Sequence, residues 1–355
     1  MIMTTSYRSG THSCPVLSNT DHLVKPSLVM PHIAIRHIDS LYSSIVFSGF
    51  HYLQEHSGDG WVYWLPRYIL RNTSLQVYFL SNEQKLFFLK RNETLCEVEE
   101  QTVKKIDIFF ARTLNSFPVD HRLLFSAKLK ILYPISDIIP ETILRHHPII
   151  IHDSRFIKPL PEHERAFFYY KPSKKENLLL YPSAIHRRKG QIEFAQSIKA
   201  GALRGKKVLF CGTIKSEQYA EKCFSLLRKK KVDFEYLGKI PKKTLGELYR
   251  KSLLTLILSR GDWNPRTFYE SMACGTPCLL SRKVQLASEM EEHAIKTSKL
   301  LLNYNILKCS SYTEELSIKL QKTSLEMTEE YCYNILFSYI FTEIRQQHFI
   351  KTKKQ

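Results

Sequence analysis

Ser259-Arg-Gly-Asp-Trp-Asn-Pro-Arg-Thr-Phe-Tyr-Glu-Ser-Met-Ala-Cys-Gly-Thr-Pro-Cys278 decides how the second half of this chain folds. The apolar run Leu253 to Leu258 precedes it and reads as a buried strand. A short loop then carries Asp262 and Trp263. Asn264 suits an N-cap and Pro265 suits the first position of a helix. That helix, Pro265 to Cys274, stops at Gly275, and Pro277 to Leu280 opens the next strand. Strand, loop, helix and strand in this order put a helix amino end at the carboxyl edge of a sheet. Its free N–H groups and dipole favour an anion such as a diphosphate. Glu270 lies inside the helix and Asp262 lies on the loop before it. Two carboxylates could then line one cleft and grip sugar and ribose hydroxyls. From spacing alone, a loop acid and a solvated helix face account for them as well.

The flanking sequence repeats the alternation. Leu178 to Tyr181, Lys207 to Cys211 and Phe234 to Leu237 read as strands. Gln191 to Ala200, Glu217 to Lys230 and Thr244 to Lys251 read as helices. Near-continuous apolar strands between helices predict a parallel sheet covered on both faces. Ligands of such a sheet bind at the carboxyl ends of its strands. The loops after Tyr181, Cys211, Leu237 and Leu258 therefore matter most.

Those loops carry a family resemblance. Asp262-Trp-Asn-Pro265 followed by Glu270-Ser-Met-Ala-Cys-Gly-Thr-Pro277 resembles the acid-x7-Glu motif of the retaining GT-B glycosyltransferases of family 4 type, the glycosyl transferases group 1. The first acid here is Asp rather than Glu, and Trp263 stands where the family has Gly. Tyr181-Pro-Ser-Ala-Ile-His-Arg-Arg-Lys-Gly190 resembles the family's phosphate loop, with Ala184 in place of its arginine. Tyr236 to Tyr249, containing Gly238 and Pro241, resembles its strand-Gly-x-x-Pro-helix passage.

The resemblance implies a GT-B fold: two α/β Rossmann-like domains facing across a cleft, with a C-terminal helix crossing back to the N-terminal domain. It implies transfer of a sugar from a nucleoside-diphosphate sugar to a glycan or lipid-linked acceptor, with retention and without a metal. Asp262, Glu270 and Lys189 would be the catalytic group. Arg188, Gly190, Gly212, Gly238, Ile240, Trp263, Asn264 and Arg266 would contact the donor. Glu270 would hold the ribose, Asp262 the donor sugar, and Lys189 the diphosphate. The alternative is a catalytically impaired module that binds a nucleotide or phosphorylated ligand, as Ala184 and the shortened acid suggest.

The first half is less legible. Strand-length runs are His32 to Ile35, Leu75 to Leu80, Ile106 to Phe110, Leu129 to Tyr133 and Ile149 to Ile151. Leu41 to Glu55 reads as a helix. No Gly-Gly loop follows the first strand, and Gly49 is the nearest candidate. His37, His51, His146 and His147 have no motif around them. The proline-bearing stretch Lys158 to Glu176 reads as a linker. The domains expected are a tail over 1–30, an N-terminal domain over 31–165, a donor domain over 173–312 and returning helices over 313–347. In the last of these, Leu316, Leu320, Met327, Tyr331 and Ile335 share one side.

Composition narrows the class. The 355 residues are 43% hydrophobic and 24% charged, enough for two packed domains. The net charge of +18 favours an anionic partner: phosphorylated substrate, anionic membrane surface or nucleic acid. No segment pairs aromatic and basic residues as an RNA module does, so no specific nucleic acid is expected. The eight cysteines form no CxxC pair, and the chain lacks an Asp-x-Asp cation site. They suggest buried thiols in a reducing, cytoplasmic setting. No apolar run is long enough to span a bilayer. Peripheral contact with the inner face of a membrane is compatible with the basic charge.

Overall fold

The computed structural model describes residues 38–50, 61–118, 120–133, 139–151, 157–160, 162–168, 173–199, 201–309 and 314–352. All of these lie in one unit, Pro31–Gln355. The expected tail over 1–30 and strand His32 to Ile35 lie outside the described residues, as do His37 and His51.

The N-terminal sheet contains β1 (Ser44–Ser48), β2 (Gln76–Leu80), β3 (Leu86–Leu89), β4 (Leu95–Val98), β5 (Ile108–Ala111), β6 (Leu129–Leu132) and β7 (Ile149–Ile150). Its order is β4-β3-β2-β1-β5-β6-β7. Five neighbouring strands, β2-β1-β5-β6-β7, run parallel, and β3 and β4 extend them as antiparallel strands. Helices α1 (Trp61–Asn72), α2 (Arg122–Ser126) and α3 (Glu141–Leu144) belong to this half.

Here the sequence reading needs correction. The expected helix Leu41 to Glu55 contains β1 instead, a strand paired on both sides whose five residues are all buried. Ser-Ile-Val-Phe-Ser is short and β-branched, and burial on two faces removes the alternation that marks a strand. Gly49 then follows the strand at φ +75, where a side chain would meet Ser116 Oγ at 2.5 Å. It is therefore a turn glycine at a carboxyl strand end.

The C-terminal sheet contains β8 (Glu176–Pro182), β9 (Lys207–Cys211), β10 (Phe234–Gly238), β11 (Ser252–Ile257), β13 (Cys278–Ser281) and β15 (Ala294–Thr297). All its pairings are parallel, in the order β10-β9-β8-β11-β13-β15. Counted within this half, that is the doubly wound order 3-2-1-4-5-6. Two short strands, β12 (Asp262–Trp263) and β14 (Val284–Gln285), pair separately above its edge.

Helices α4 (Glu162–Phe168), α5 (Gln191–Ser197), α6 (Glu217–Lys229), α7 (Lys242–Lys251) and α8 (Arg266–Ala273) belong to this half, with α9 (Leu302–Cys309) and α10 (Glu314–Glu326) after them. One face of the sheet packs Phe168, Tyr249, Phe268, Tyr269, Met272 and Leu320. The other packs Phe194, Ala195, Cys223, Leu227, Leu302 and Ile306. Cys211, Cys223, Cys274, Cys278 and Cys332 are buried free thiols among these residues. The expected linker holds α4, which the prolines around it obscure.

The final helix, α11 (Glu329–Thr352), serves both halves. Cys332 packs with the C-terminal core. Tyr333, Leu336, Phe337 and Ile340 pack with β1, β2 and β5 residues of the N-terminal core. Tyr339 Oη donates to Ile150 O at 3.4 Å. The chain thus returns to the domain where it began.

Candidate functional site

The strand order reverses between β8 and β11, which lie side by side. Neighbouring crossovers there leave on opposite faces, so a crevice opens at the carboxyl edge. The loops after these two strands carry Lys189 and Asp262.

Lys189 ends a 3-10 turn, Arg187–Lys189, and Gly190 follows at φ 79. A side chain at Gly190 would lie 2.1 Å from Leu258 O, so only glycine lets this loop close on the end of β11. Three bonds lock the arrangement. Tyr181 Oη donates to Lys189 O at 2.7 Å. Arg260 N donates to Arg188 O at 2.8 Å. Gln191 Nε2 donates to Ala184 O at 2.9 Å.

Lys189 Nζ forms an ion pair with Asp262 Oδ2, and Ser259 Oγ donates to the same oxygen at 3.2 Å. Both charged side chains are mostly covered. His186 stands close by. Burial first, then Lys189 and Arg188, push its pKa below the usual histidine value.

Glu270 is 6% exposed and belongs to a different network. Tyr249 Oη donates to Glu270 Oε2 at 3.0 Å, and Arg266 Nε meets Oε1 at 3.1 Å. Burial, and then the Glu270 charge, raise Tyr249 far above its usual pKa, so it stays a donor. Arg266 also pairs with Glu164, whose other oxygen pairs with Lys242. Glu164 is fully buried beside the first residues of α7 and α8, where helix dipoles favour an anion.

Asp262 and Glu270 stand in separate networks: the first pairs with Lys189, the second with Arg266 and Tyr249. Arg266 pairs with two carboxylates of its own domain. One expectation of local structure changes. Asn264 is not the N-cap; Pro265 holds that position. Asn264 adopts φ 51 and is 1% exposed. Its Oδ1 accepts from Tyr269 Oη at 2.5 Å and from Ala287 N at 3.2 Å. That side chain fixes the loop. Trp263 pairs with Gln285 in register, and Lys158 Nζ donates to Trp263 O at 3.3 Å.

The remaining residues divide by the space around them. Gly212 has φ +144, and a side chain there would strike Ser183 O at 2.4 Å. Gly238 has φ +68 with open space where a side chain would be. Ile240 packs at the margin of the core. Among the histidines, His146 lies against the rings of Phe117 and Phe125. Glu164, Tyr249, Ser259 and His186 carry no sequence signal, since each acquires its neighbours only by folding.

Among the described residues, no cluster of His, Cys, Asp and Glu forms a candidate metal site. No helix of the described residues is long and apolar enough to cross a membrane.

Residues 162–317 match the family model described as glycosyl transferases group 1. A sequence search of the curated proteins finds no match. Among solved structures, the chain is similar to sucrose-phosphate synthase of Thermosynechococcus elongatus. That pair is 12% identical with TM-score 0.58, covering 87% of this chain and 100% of the other. Anabaena HepE in complex with UDP-glucose is similar at 12% identity and TM-score 0.54, covering 84% and 99%. The lipopolysaccharide outer core galactosyltransferase WaaB reaches 15% and TM-score 0.53, covering 84% and 99%. At these identities the likeness establishes the fold. The C-terminal half thus resembles the glycosyl transferases group 1 family over residues 162–317, on a two-domain frame of GT-B type.

Proposed function

We propose that the protein is a glycosyltransferase that moves a sugar from a nucleoside-diphosphate sugar to a glycan or lipid-linked acceptor, with retention. The observation that carries this reading is the Lys189–Asp262 pair at the strand-order reversal, inside the segment that matches the family. UDP-glucose in the HepE complex supports a nucleotide-sugar donor.

Lys189 neutralises charge on the leaving diphosphate as the bond to the anomeric carbon breaks. The diphosphate competes with Asp262 for Lys189. Asp262, released from that pairing, accepts hydrogen bonds from donor-sugar hydroxyls. Glu270, in the middle of α8, accepts from the ribose. Gly238, with open space above it, leaves room for the base beside Ile240. Gly190 and Gly212 let the loops approach one another closely. Backbone amides around Trp263 and Asn264 complete the anion cradle, with Arg188 at its edge. Basic side chains supply the positive charge, so the chemistry proposed uses no metal. The acceptor oxygen forms the new bond to the anomeric carbon, and its proton passes to an oxygen of the departing diphosphate.

A second reading has its own observation. Glu270 is already bonded by Arg266 and Tyr249, and Ala184 supplies no cation. A module so arranged would bind a nucleotide without turnover.

Thermal-shift screening of UDP-, GDP- and ADP-sugars, followed by product release assays, tests both. Stabilisation with sugar release supports transfer, and stabilisation without release supports the binding module. No stabilisation by any nucleotide sugar rejects both.

A further inference from the structure

A cavity of about 520 Å³ lies at the carboxyl ends of β11, β13 and β15, against α5. Its floor includes buried Phe194, Leu258 and Leu302. Exposed Arg282, Lys283 and Lys299 line it too. None of these three cations pairs with a carboxylate among the described residues. Its one acid, Glu193, is taken by Arg260, with Nε to Oε1 at 2.7 Å.

The helix beside the cavity is amphipathic in an unusual sense. On α9, Leu302 and Ile306 face the core. The outward face, which should be polar, presents Tyr304 and Leu307, 61% and 54% exposed. Leu300 and Leu301 just before it are 92% and 43% exposed. Four large apolar side chains in eight positions form a patch in water, next in sequence to Lys299. Patches of this kind mark an interaction site.

We propose that this patch and cavity dock the protein on an anionic phospholipid bilayer. Leu300, Leu301, Tyr304 and Leu307 enter the interfacial layer. Arg282, Lys283 and Lys299 meet headgroup phosphates, one of which sits at the cavity mouth. Charge complementarity selects this occupant. An apolar surface that starts next to Lys299, on the helix whose Leu302 lines the cation-bearing cavity, fits a negative interface on a chain of net charge +18. Tyrosine suits that layer because its ring is apolar and its hydroxyl polar.

Docking here has a consequence for the neighbouring loops. Ser259 and Arg260 line the cavity. Ser259 Oγ bonds Asp262, and Arg260 N bonds Arg188 O. The bilayer surface therefore lies next to the Lys189–Asp262 loops, which suits a lipid-linked acceptor. The docking surface itself stands whether or not sugar is transferred.

The test is co-sedimentation of the full chain with vesicles. One set is phosphatidylcholine; the other has about one part phosphatidylglycerol to three of phosphatidylcholine. The protein should pellet with the second set only, and less so in high salt. The pair Leu300→Asp with Leu307→Asp should lower binding roughly tenfold, as should Arg282→Glu with Lys283→Glu. Ile318→Asp with Leu325→Asp, equally exposed apolar sites on α10, should leave it unchanged. Circular dichroism confirms that each variant is folded. Patch variants that bind as the parent does would overturn the proposal, as would loss of binding in the α10 control alone. A dimer dissolved by the Leu300 and Leu307 changes, with no vesicle binding, would assign the patch to a second copy.

Discussion

Lys189 and Asp262, 73 residues apart in the chain, form an ion pair that ties the loop after β8 to the loop after β11. The two strands are neighbours because the sheet's order reverses between them, so the pair exists only in the folded chain. Lys189→Ala should reduce sugar transfer about 100-fold, as loss of one preorganised charge does. A double-mutant cycle with Asp262→Asn should show coupling between the two, since both act on one donor. Additive losses would count against a shared role. The readout is initial rate of product formation, with circular dichroism as the check on folding.

Arg266 holds two buried carboxylates at once, Glu164 and Glu270. Arg266→Met should therefore destabilise the domain by about 3 kcal/mol, because charge is left buried without its partner. Tyr249→Phe removes only one hydrogen bond to Glu270 and should cost about 2 kcal/mol. Urea denaturation of each variant measures both.

Gly190 and Gly238 share a positive φ but not a neighbourhood. Gly190→Ala meets strain and a carbonyl 2.1 Å away, so the loop must move and Lys189 with it. Gly238→Ala meets strain alone, at a cost of about 1 kcal/mol. The expected result is loss of nucleotide-sugar binding in the first and a modest melting-temperature drop in both. Calorimetric titration separates them.

Asp107 should make the N-terminal domain acid-sensitive. Burial pushes its carboxyl up, but hydrogen bonds from Ser43 and the Lys128 charge outweigh that and hold it down at about 2. A lowered carboxyl pKa gives stability that is present above the ordinary value of 3.8 and is lost as pH falls toward 2. Melting temperatures of the parent and Asp107→Asn should differ most near neutrality and converge between pH 4 and pH 2.

Lys175 works in the opposite direction. Burial pushes its amine down to about 8, and Nζ donates to Thr276 Oγ1 at 2.6 Å. The folded chain then holds this proton less tightly than the unfolded chain. Its contribution to stability rises with pH from about 8 toward the ordinary 10.5. Relative to Lys175→Met, the parent should gain melting temperature over that window. Buried thiols that do not feel Lys175, such as Cys223, raised to about 12, titrate alike in both proteins and cancel in the difference.

The C-terminal sheet is readable because each strand is a short apolar run and each boundary has its own chemistry. Lys207–Cys211 matches its strand residue for residue, and Glu217–Lys229 ends one residue short of the helix expected. β1 escapes such a reading because a central strand buried on both faces loses its alternation. The antiparallel pair β3 and β4 and helix α4 lack strong boundary signals, so local pattern does not mark them.

By itself, the sequence determined the alternation of strand and helix, the loops that would face a ligand, and the residue types those loops carry. These are local properties, set by periodicity, capping and turn residues within a few positions. The tertiary structure alone decided who meets whom. It brought Lys189 to Asp262, handed Arg266 and Tyr249 to Glu270, and buried Glu164 between two helix starts. It also left Leu300, Tyr304 and Leu307 facing outward. Such pairings depend on the order in which strands join a sheet, and no local pattern in the chain records that order.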